Sequence, residues 1–280
     1  MKEKNFSDDE IEVLGNNTRK RKTKQFILFT ITTLAIIVAL LFVFLLKQST
    51  QHAITENFTQ IEIENLQQIE VKQGYVKIEH DTINDVPLLI FIPHNALPEL
   101  SLTLPSETDS SVIFVTQAAD FGANNYGIVG DFVILGEQLA RGNSKKGFCA
   151  IINNMLTIGT GTETPLLEKA KQEKGYFFRQ YPLVENGEAI TNKPKGKAIR
   201  RALAIRENEV IMVESCHRES FHDFAQALAD MEISDAIYLV GGNSILGWYR
   251  TCDNQVQPLG SSVGEQEQMQ GVNYLVWQGR

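Results

Sequence analysis

Hydrophobic positions along the chain fall into three textures. Residues 26–46, FILFTITTLAIIVALLFVFLL, form one apolar run of 21 residues without charge, Pro or Gly. Residues 47–68 are polar and rich in Gln, Glu and Asn, which reads as a stalk. From about residue 69 short apolar runs alternate with turn residues, the signature of strands. Strands are predicted at 76–79, 87–92, 111–115, 131–136 and 148–152, with Asn153-Asn154 as a two-residue hairpin turn that tolerates positive φ. Lys171–Lys174 and Lys193–Lys197 read as solvated loops. A further strand, 209–213, precedes Ser220-Phe221-His222-Asp223, which resembles a capping box and opens a helix. Phe221, Phe224, Leu228 and Met231 fall on one stripe of that helix, and Ala236–Val240 follows as a buried strand. Strand, helix and strand make a crossover unit with parallel strands. The expected class is therefore α+β, a mixed sheet with a crossover helix, plus one N-terminal transmembrane helix.

The apolar run is about 31 Å long as a helix, close to the hydrocarbon thickness of a bilayer. Arg19-Lys20-Arg21-Lys22-Thr23-Lys24 precedes it and only Lys47 follows. That asymmetry puts residues 1–25 in the cytoplasm and the C-terminal domain in the periplasm or outside the cell. A cleaved signal peptide is the competing reading. It wants a shorter core and a small-residue cleavage site, which Lys47-Gln48-Ser49-Thr50 does not offer. The expected organisation is a basic tail (1–25), a signal anchor (26–46), a stalk (47–68) and one exported domain (69–280).

Charge sharpens this picture. The chain has 26 Lys+Arg against 34 Asp+Glu, net −8. The tail holds seven bases and five acids, so the remainder carries 19 and 29. Such an acidic domain lacks the Lys and Arg that nucleic-acid binding draws on. Three cysteines exclude a disulfide-dense scaffold; Cys149 is expected to be buried, and Cys216 and Cys252 could pair outside the cell. No nucleotide fingerprint is present. His217 and His222 lack metal spacing with further ligands and read as solvated residues at a helix start. No cofactor motif is legible, and the need for a divalent cation stays open. Gly241-Gly242-Asn243-Ser244 lies at a strand's carboxyl end, where ligands sit in α/β sheets; it also reads as a plain tight turn.

From about residue 85 to 250 the order of elements resembles the phosphodiester glycosidases. Their Asp-Gly-Gly-Gly-Ser turn between two strands matches Val240-Gly241-Gly242-Asn243-Ser244. Their Arg-Thr-Ala-Ile-Gly strand matches Arg200-Arg201-Ala202-Leu203-Ala204. A Pro-x-Leu-Val element matches Tyr181–Gly187, a Val-Gly hairpin matches Val129-Gly130 and Gly136, and an Asn-Gly hairpin matches Phe148–Asn154. The family's Asp is Val240 here, and its early Asn is Gln117 in Gln117-Ala118-Ala119.

The resemblance implies a sugar-phosphate or glycan of the cell envelope as ligand. Arg200 would clamp the phosphate as a planar fork. The Gly241, Gly242, Asn243 and Ser244 backbone would hold the leaving oxygen, and Gln117 would orient the sugar. Glycoside cleavage needs a carboxyl group, which Val240 cannot supply; Asp120, Asp131 and Glu214 are the candidates to replace it. A catalytically inactive relative that binds glycan, or a structural envelope protein, are the alternatives.

Overall fold

The computed structural model describes residues 27–41, 57–63, 73–122, 127–241, 247–259 and 273–279. Two units emerge, residues 1–55 and 56–280. Of the first, helix α1 is described over residues 27–41, all exposed. Its Thr hydroxyls bond back to the helix, Thr33 Oγ1 donating to Phe29 O at 2.8 Å and Thr30 Oγ1 to Ile27 O at 2.9 Å. Residues 26 and 42–46 of the predicted span, the basic tail and residues 47–56 lie outside the described residues. Among the described residues no helix is long and apolar enough to cross a membrane.

The second unit opens with β1 (Asn57–Glu62), β2 (Tyr75–Ile83), β3 (Val86–His94), β4 (Ala96–Ser101), β5 (Val112–Gln117), β6 (Phe132–Ile134) and β7 (Glu137–Ala140). Then come β8 (Gly147–Ile152), β9 (Met155–Thr160), α2 (Pro165–Gln172), β10 (Tyr176–Gln180), β11 (Pro182–Glu185) and β12 (Glu188–Ala189). The chain continues through β13 (Arg201–Arg206), β14 (Glu209–Ser215), α3 (Phe221–Asp230), β15 (Asp235–Leu239), β16 (Gly247–Arg250), β17 (Val256–Pro258) and β18 (Tyr274–Gly279). Among the described residues three sheets result. Their orders are β1-β9-β8-β10-β6-β7, β12-β11-β15-β13-β14-β3-β2 and β17-β16-β5-β18-β4.

The crossover unit forms as β14–α3–β15. Both strands run antiparallel to β13, which lies between them, so they are parallel to each other without being neighbours. The sheet mixes strand directions only in that sense, since the described neighbours pair antiparallel. Alternation along β13 explains why both faces of this sheet are covered. Ala202 and Ala204 face α3 with Phe224, Ala227 and Leu228, while Leu203 and Ile205 face the core shared with the other sheets. Strands buried on both faces read as unbroken apolar runs, as Ala236–Leu239 does. Ser220 caps α3 by accepting from Asp223 N at 3.0 Å. The Asn153-Asn154 turn has φ of 50° and 62°, the values a tight β8–β9 hairpin requires.

Two segments depart from the sequence reading. Asn57–Glu62, expected to lie in the stalk, is β1, paired along its length with β9. Only Ile61 and the following Ile63 are buried in the core, so the strand's composition stays polar. Lys171 belongs to α2 rather than to a loop. Thr164 caps that helix, Pro165 occupies its first turn, and only Leu166 and Ala170 are buried. Among the thiols, Cys149 is buried, and its burial pushes the thiol far above the usual range. Cys216 and Cys252 are exposed and unpaired.

α3 depends on its buried stripe more than on its cap. Phe224→Ala is expected to cost about 3–5 kcal/mol, and Ser220→Ala only about 1 kcal/mol. Urea unfolding of the full chain measures both; equal costs would contradict the packing described.

Candidate functional site

The first residue of β13, the last turns of β14 and β15 and the end of β5 converge at one end of the sheets. Arg201 and Glu214 are directly opposed in register. Both side chains are buried, Glu214 with 4% of its side chain exposed. Arg201 donates from Nε to Glu214 Oε2 at 2.7 Å and from Nη2 to the same oxygen. Its Nη1 reaches Thr116 Oγ1 at 2.8 Å and Val240 O at 3.2 Å. A buried guanidinium satisfied in this way is structural, and Glu214 is consumed by it.

Arg200 points to the opposite face. Its Nε donates to Glu219 O at 2.9 Å and its Nη2 to Gly196 O at 2.7 Å. The guanidinium lies 4.1 Å over the Phe221 ring and 6.0 Å from that of Tyr238. Among the described residues Nη1 has no hydrogen-bond partner. Tyr238 Oη accepts from Gly241 N at 3.2 Å. A Cβ on Gly241 would stand 2.6 Å from Ile199 O, so the backbone approach there needs glycine. Gly242, Asn243 and Ser244 lie outside the described residues.

The aromatic patch leads on to a second polar cluster. Tyr181 meets Phe221 edge-on at 5.6 Å, and Lys145 Nζ lies 4.7 Å over the Tyr181 ring. Lys145, with 5% of its side chain exposed, pairs with Asp120 Oδ2 and donates to Gln180 Oε1 at 2.9 Å. Gln180 Nε2 in turn donates to Asp120 Oδ1 at 3.1 Å. Asp120 keeps 32% of its side chain exposed. Burial holds the Lys145 ammonium below the usual lysine range, and Asp120 pulls the other way. Burial, followed by the Asp120 charge, raises the Tyr181 phenol.

Asp131, the third candidate carboxylate, is bound by Arg179 Nε at 2.7 Å, and Gly142 N and Gln138 Nε2 donate to its other oxygen. Arg179 also donates to Gly161 O and Thr162 O, fixing the loop before α2. Gln117, expected to orient a sugar, is fully buried, and its Nε2 donates to Ala119 O at 3.1 Å. Asn273, just before β18, completes that brace. Its Oδ1 accepts from Ala119 N at 2.6 Å and its Nδ2 donates to Ala119 O at 3.0 Å. Asp120 follows this turn directly.

Of the predicted site residues, Arg200 and Gly241 both meet Tyr238, while Asp120 is linked to Arg200 only through the Lys145, Tyr181 and Phe221 contacts, and Arg200 is 6% exposed. Lys145 and Asn273 carried no sequence signal: one lies in a Ser-Lys-Lys-Gly loop, the other outside any motif. Gln180 sits in the Arg179-Gln180-Tyr181 segment that precedes the Pro element. His217 and His222 are exposed. Among the described residues no group of three or more His, Cys, Asp or Glu could hold a metal ion.

No protein-family model matches the chain. Nor does any curated protein sequence. In fold it is similar to the catalytic domain of zebrafish N-acetylglucosamine-1-phosphodiester alpha-N-acetylglucosaminidase, in a form auto-inhibited by its pro-peptide. The TM-score is 0.55 at 13% identity, covering 80% of this chain and 89% of that one. A hypothetical protein from Synechocystis matches with a TM-score of 0.47 at 13% identity, over 74% of this chain and 62% of that one. The first likeness shows a phosphodiester-glycosidase-like fold.

Removing one member of the Arg201–Glu214 pair should be costly. Glu214→Gln is expected to lose about 3–5 kcal/mol, and Arg201→Met with Glu214→Leu together much less. Urea unfolding decides, and an additive double variant would contradict a coupled buried pair. Lys145 gives a pH signature. Its folded state releases the proton at lower pH than the unfolded chain, whose ordinary value is 10.5. Between those values the unfolded chain binds more protons, so stability rises with pH in the window ending near 10.5. Unfolding free energies of native and Lys145→Gln chains, compared across that window, should diverge in favour of the native chain; parallel curves would reject the shift.

Proposed function

We propose that the chain is a membrane-anchored, exported hydrolase that cleaves a sugar phosphodiester of the cell envelope. The observation that carries this reading is Asp120. Of the three candidate carboxylates, Glu214 and Asp131 are bound by arginines, while Asp120 stays one-third exposed beside a buried lysine.

Lys145 and Gln180 hold the two Asp120 oxygens in place. Arg200 offers its Nη1 edge from the same aromatic surface. Lys145 offsets the Asp120 charge, and in this reading Arg200 supplies the positive charge for a phosphodiester monoanion. In the proposed step a water oxygen attacks the anomeric carbon and gives its proton to Asp120. The bond from that carbon to the phosphate oxygen breaks, and its electron pair leaves on the phosphate. A phosphate monoester is a stable anion near neutral pH and needs no acid to leave. An alkoxide leaving group would need a second carboxyl group as acid. One exposed carboxylate therefore favours a phosphodiester over a plain glycoside. The Gly241–Ser244 turn is assigned to the leaving oxygen, and Gln117 acts through the turn that presents Asp120.

Val240 favours a second reading. Its side chain supplies no acid or base where the resemblance expects Asp, which fits a relative that binds a phosphoglycan without cleaving it.

The test uses the full chain with sugar-1-phosphodiesters and aryl glycosides, with and without divalent cations. Turnover of the phosphodiesters is expected, with Asp120→Asn slowing it about 10²–10⁴-fold and Arg200→Ala chiefly raising KM. Silence in the native chain with activity in Val240→Asp would establish the binder. Silence in both, with no phosphoglycan bound, would end both readings.

A further inference from the structure

Lys193–Lys197 reads from the sequence as a solvated loop, and the proposed reaction does not use it. Residues 189–200 hold four bases, Lys193, Lys195, Lys197 and Arg200, and no acid. Beyond residue 25 the chain carries 19 bases against 29 acids, so this run opposes the sign of the whole. Arg218 joins it through space, donating to Lys197 O from Nε at 3.1 Å and from Nη2 at 2.8 Å.

The fold does not leave this loop slack. Arg200 Nη2 donates to Gly196 O at 2.7 Å, and Ala198 and Glu219 exchange both backbone hydrogen bonds, at 3.1 and 2.8 Å. Pro194 fixes one φ between two lysines. Gly196 takes φ of 96°, a left-handed value that favours glycine. Guanidinium groups thus occupy the Gly196 and Lys197 carbonyls, while Lys193, Lys195, Lys197 and Arg218 are exposed. Lys197 has an acid partner, Glu219 Oε2 at 3.5 Å. Among the described residues no acid pairs with Lys193, Lys195 or Arg218. The other acid beside the loop is Asp223, in the first turn of α3. Five bases against two acids leave a positive patch, and the α3 N-terminus adds to the same sign.

The patch discriminates among occupants. One phosphodiester carries one negative charge, which Arg200 answers in the proposed reaction. The lysines exceed that need, and their charge complements further anions along the same molecule. A bilayer is disfavoured, because surfaces that enter a headgroup layer combine lysines with apolar side chains. Among the described residues the large hydrophobic side chains that are exposed all lie outside residues 189–222. Single-stranded nucleic acid is held by basic grooves with aromatic rings on which bases stack. The rings here, Phe221 and Tyr238, are buried, and Arg200 covers Phe221. We infer that the Lys193–Lys197 loop and Arg218 bind a polyol-phosphate or sugar-phosphate polymer with a phosphodiester in each repeat. One repeat meets Arg200 and its neighbours meet the loop. The inference rests on the phosphodiester reading of the Arg200 site and narrows its substrate from a small diester to a polymer.

The test uses the full chain in a non-ionic detergent, with a synthetic glycerol-phosphate oligomer as the probe. An oligogalacturonate, single-stranded DNA and phosphatidylglycerol vesicles are the comparisons. Lysines are acetylated with and without each probe, and mass spectrometry reads protection site by site. The glycerol-phosphate oligomer is expected to protect Lys193 and Lys195 and to leave Lys171 as reactive as before. Lys193→Ala with Lys195→Ala should weaken its binding about tenfold and lower the salt dependence by about two phosphate contacts. Lys193→Arg with Lys195→Arg should keep both. Neither pair of substitutions should alter KM for a small sugar-1-phosphodiester. The inference is overturned if protection is confined to Lys20, Lys22 and Lys24 of the N-terminal tail, or if the alanine pair binds as the native chain does or raises that KM. It is equally overturned if the oligogalacturonate binds as well, or if DNA or vesicles bind more tightly. Polymer held through the lysines without turnover would leave the inference standing and end the hydrolase reading. Turnover of small diesters with no polymer bound would do the reverse.

Discussion

A guanidinium that cannot reach water governs this architecture. Arg201 is buried where three strands from two sheets end, and its charge has to be answered inside the protein. Glu214 answers it across the strand pair, Thr116 from the third sheet, and the Val240 carbonyl from the end of β15. These partners fix where β5 ends relative to β15. The Gln117–Ala119 turn, and with it Asp120, starts from that fixed point. So does the Val240–Gly241 backbone. The Asp120 turn and the Gly241 backbone are thus set around one buried ion pair.

The neighbouring arginines make a useful contrast. Arg200 and Arg201 are adjacent and identical in type, yet the alternation of the chain sends them to opposite faces. One faces the inter-sheet core and spends its donors on a carboxylate, a hydroxyl and a carbonyl. The other lies on the Phe221 ring and donates to the Glu219 and Gly196 carbonyls. At the start of β13 two neighbouring arginines thus meet different partners, a carboxylate across the ladder for Arg201 and backbone carbonyls for Arg200.

That decision was only partly legible beforehand. The crossover unit, the capped helix and the Asn-Asn hairpin could be read because apolar runs, a capping serine and residues that accept positive φ are local signals. β1 was hidden because an edge strand with few buried residues looks like a polar linker; its partners are about a hundred positions away. α2 buries only two residues, so its stripe is thin, although Thr164-Pro165 is a helix-start signal. At the site, Arg200 and Gly241 stood out through motif order, and Asp120 was one of three carboxylates that residue type alone offered. Lys145, Gln180 and Asn273 did not, because their roles come from contacts across 25, 60 and 154 positions. Sequence also could not sort three carboxylates into two that arginines bind and one that remains exposed.

The placement of β18 has a consequence for the order of events in time. This strand lies between β4 and β5, so the third sheet has a gap at its centre until residues 274–279 exist. The residue just before it, Asn273, holds the turn under Asp120. A ribosome that has delivered everything up to residue 272 has therefore released a chain with two sheets able to form and a third split in two. The turn before Asp120 stays unbraced in that interval, and sheet edges remain open to other chains. Closure of the third sheet must wait for β18, and long-range pairing of that kind is slow. Until that strand arrives, β4 and β5 each present an unpaired edge of the kind through which sheets join other chains.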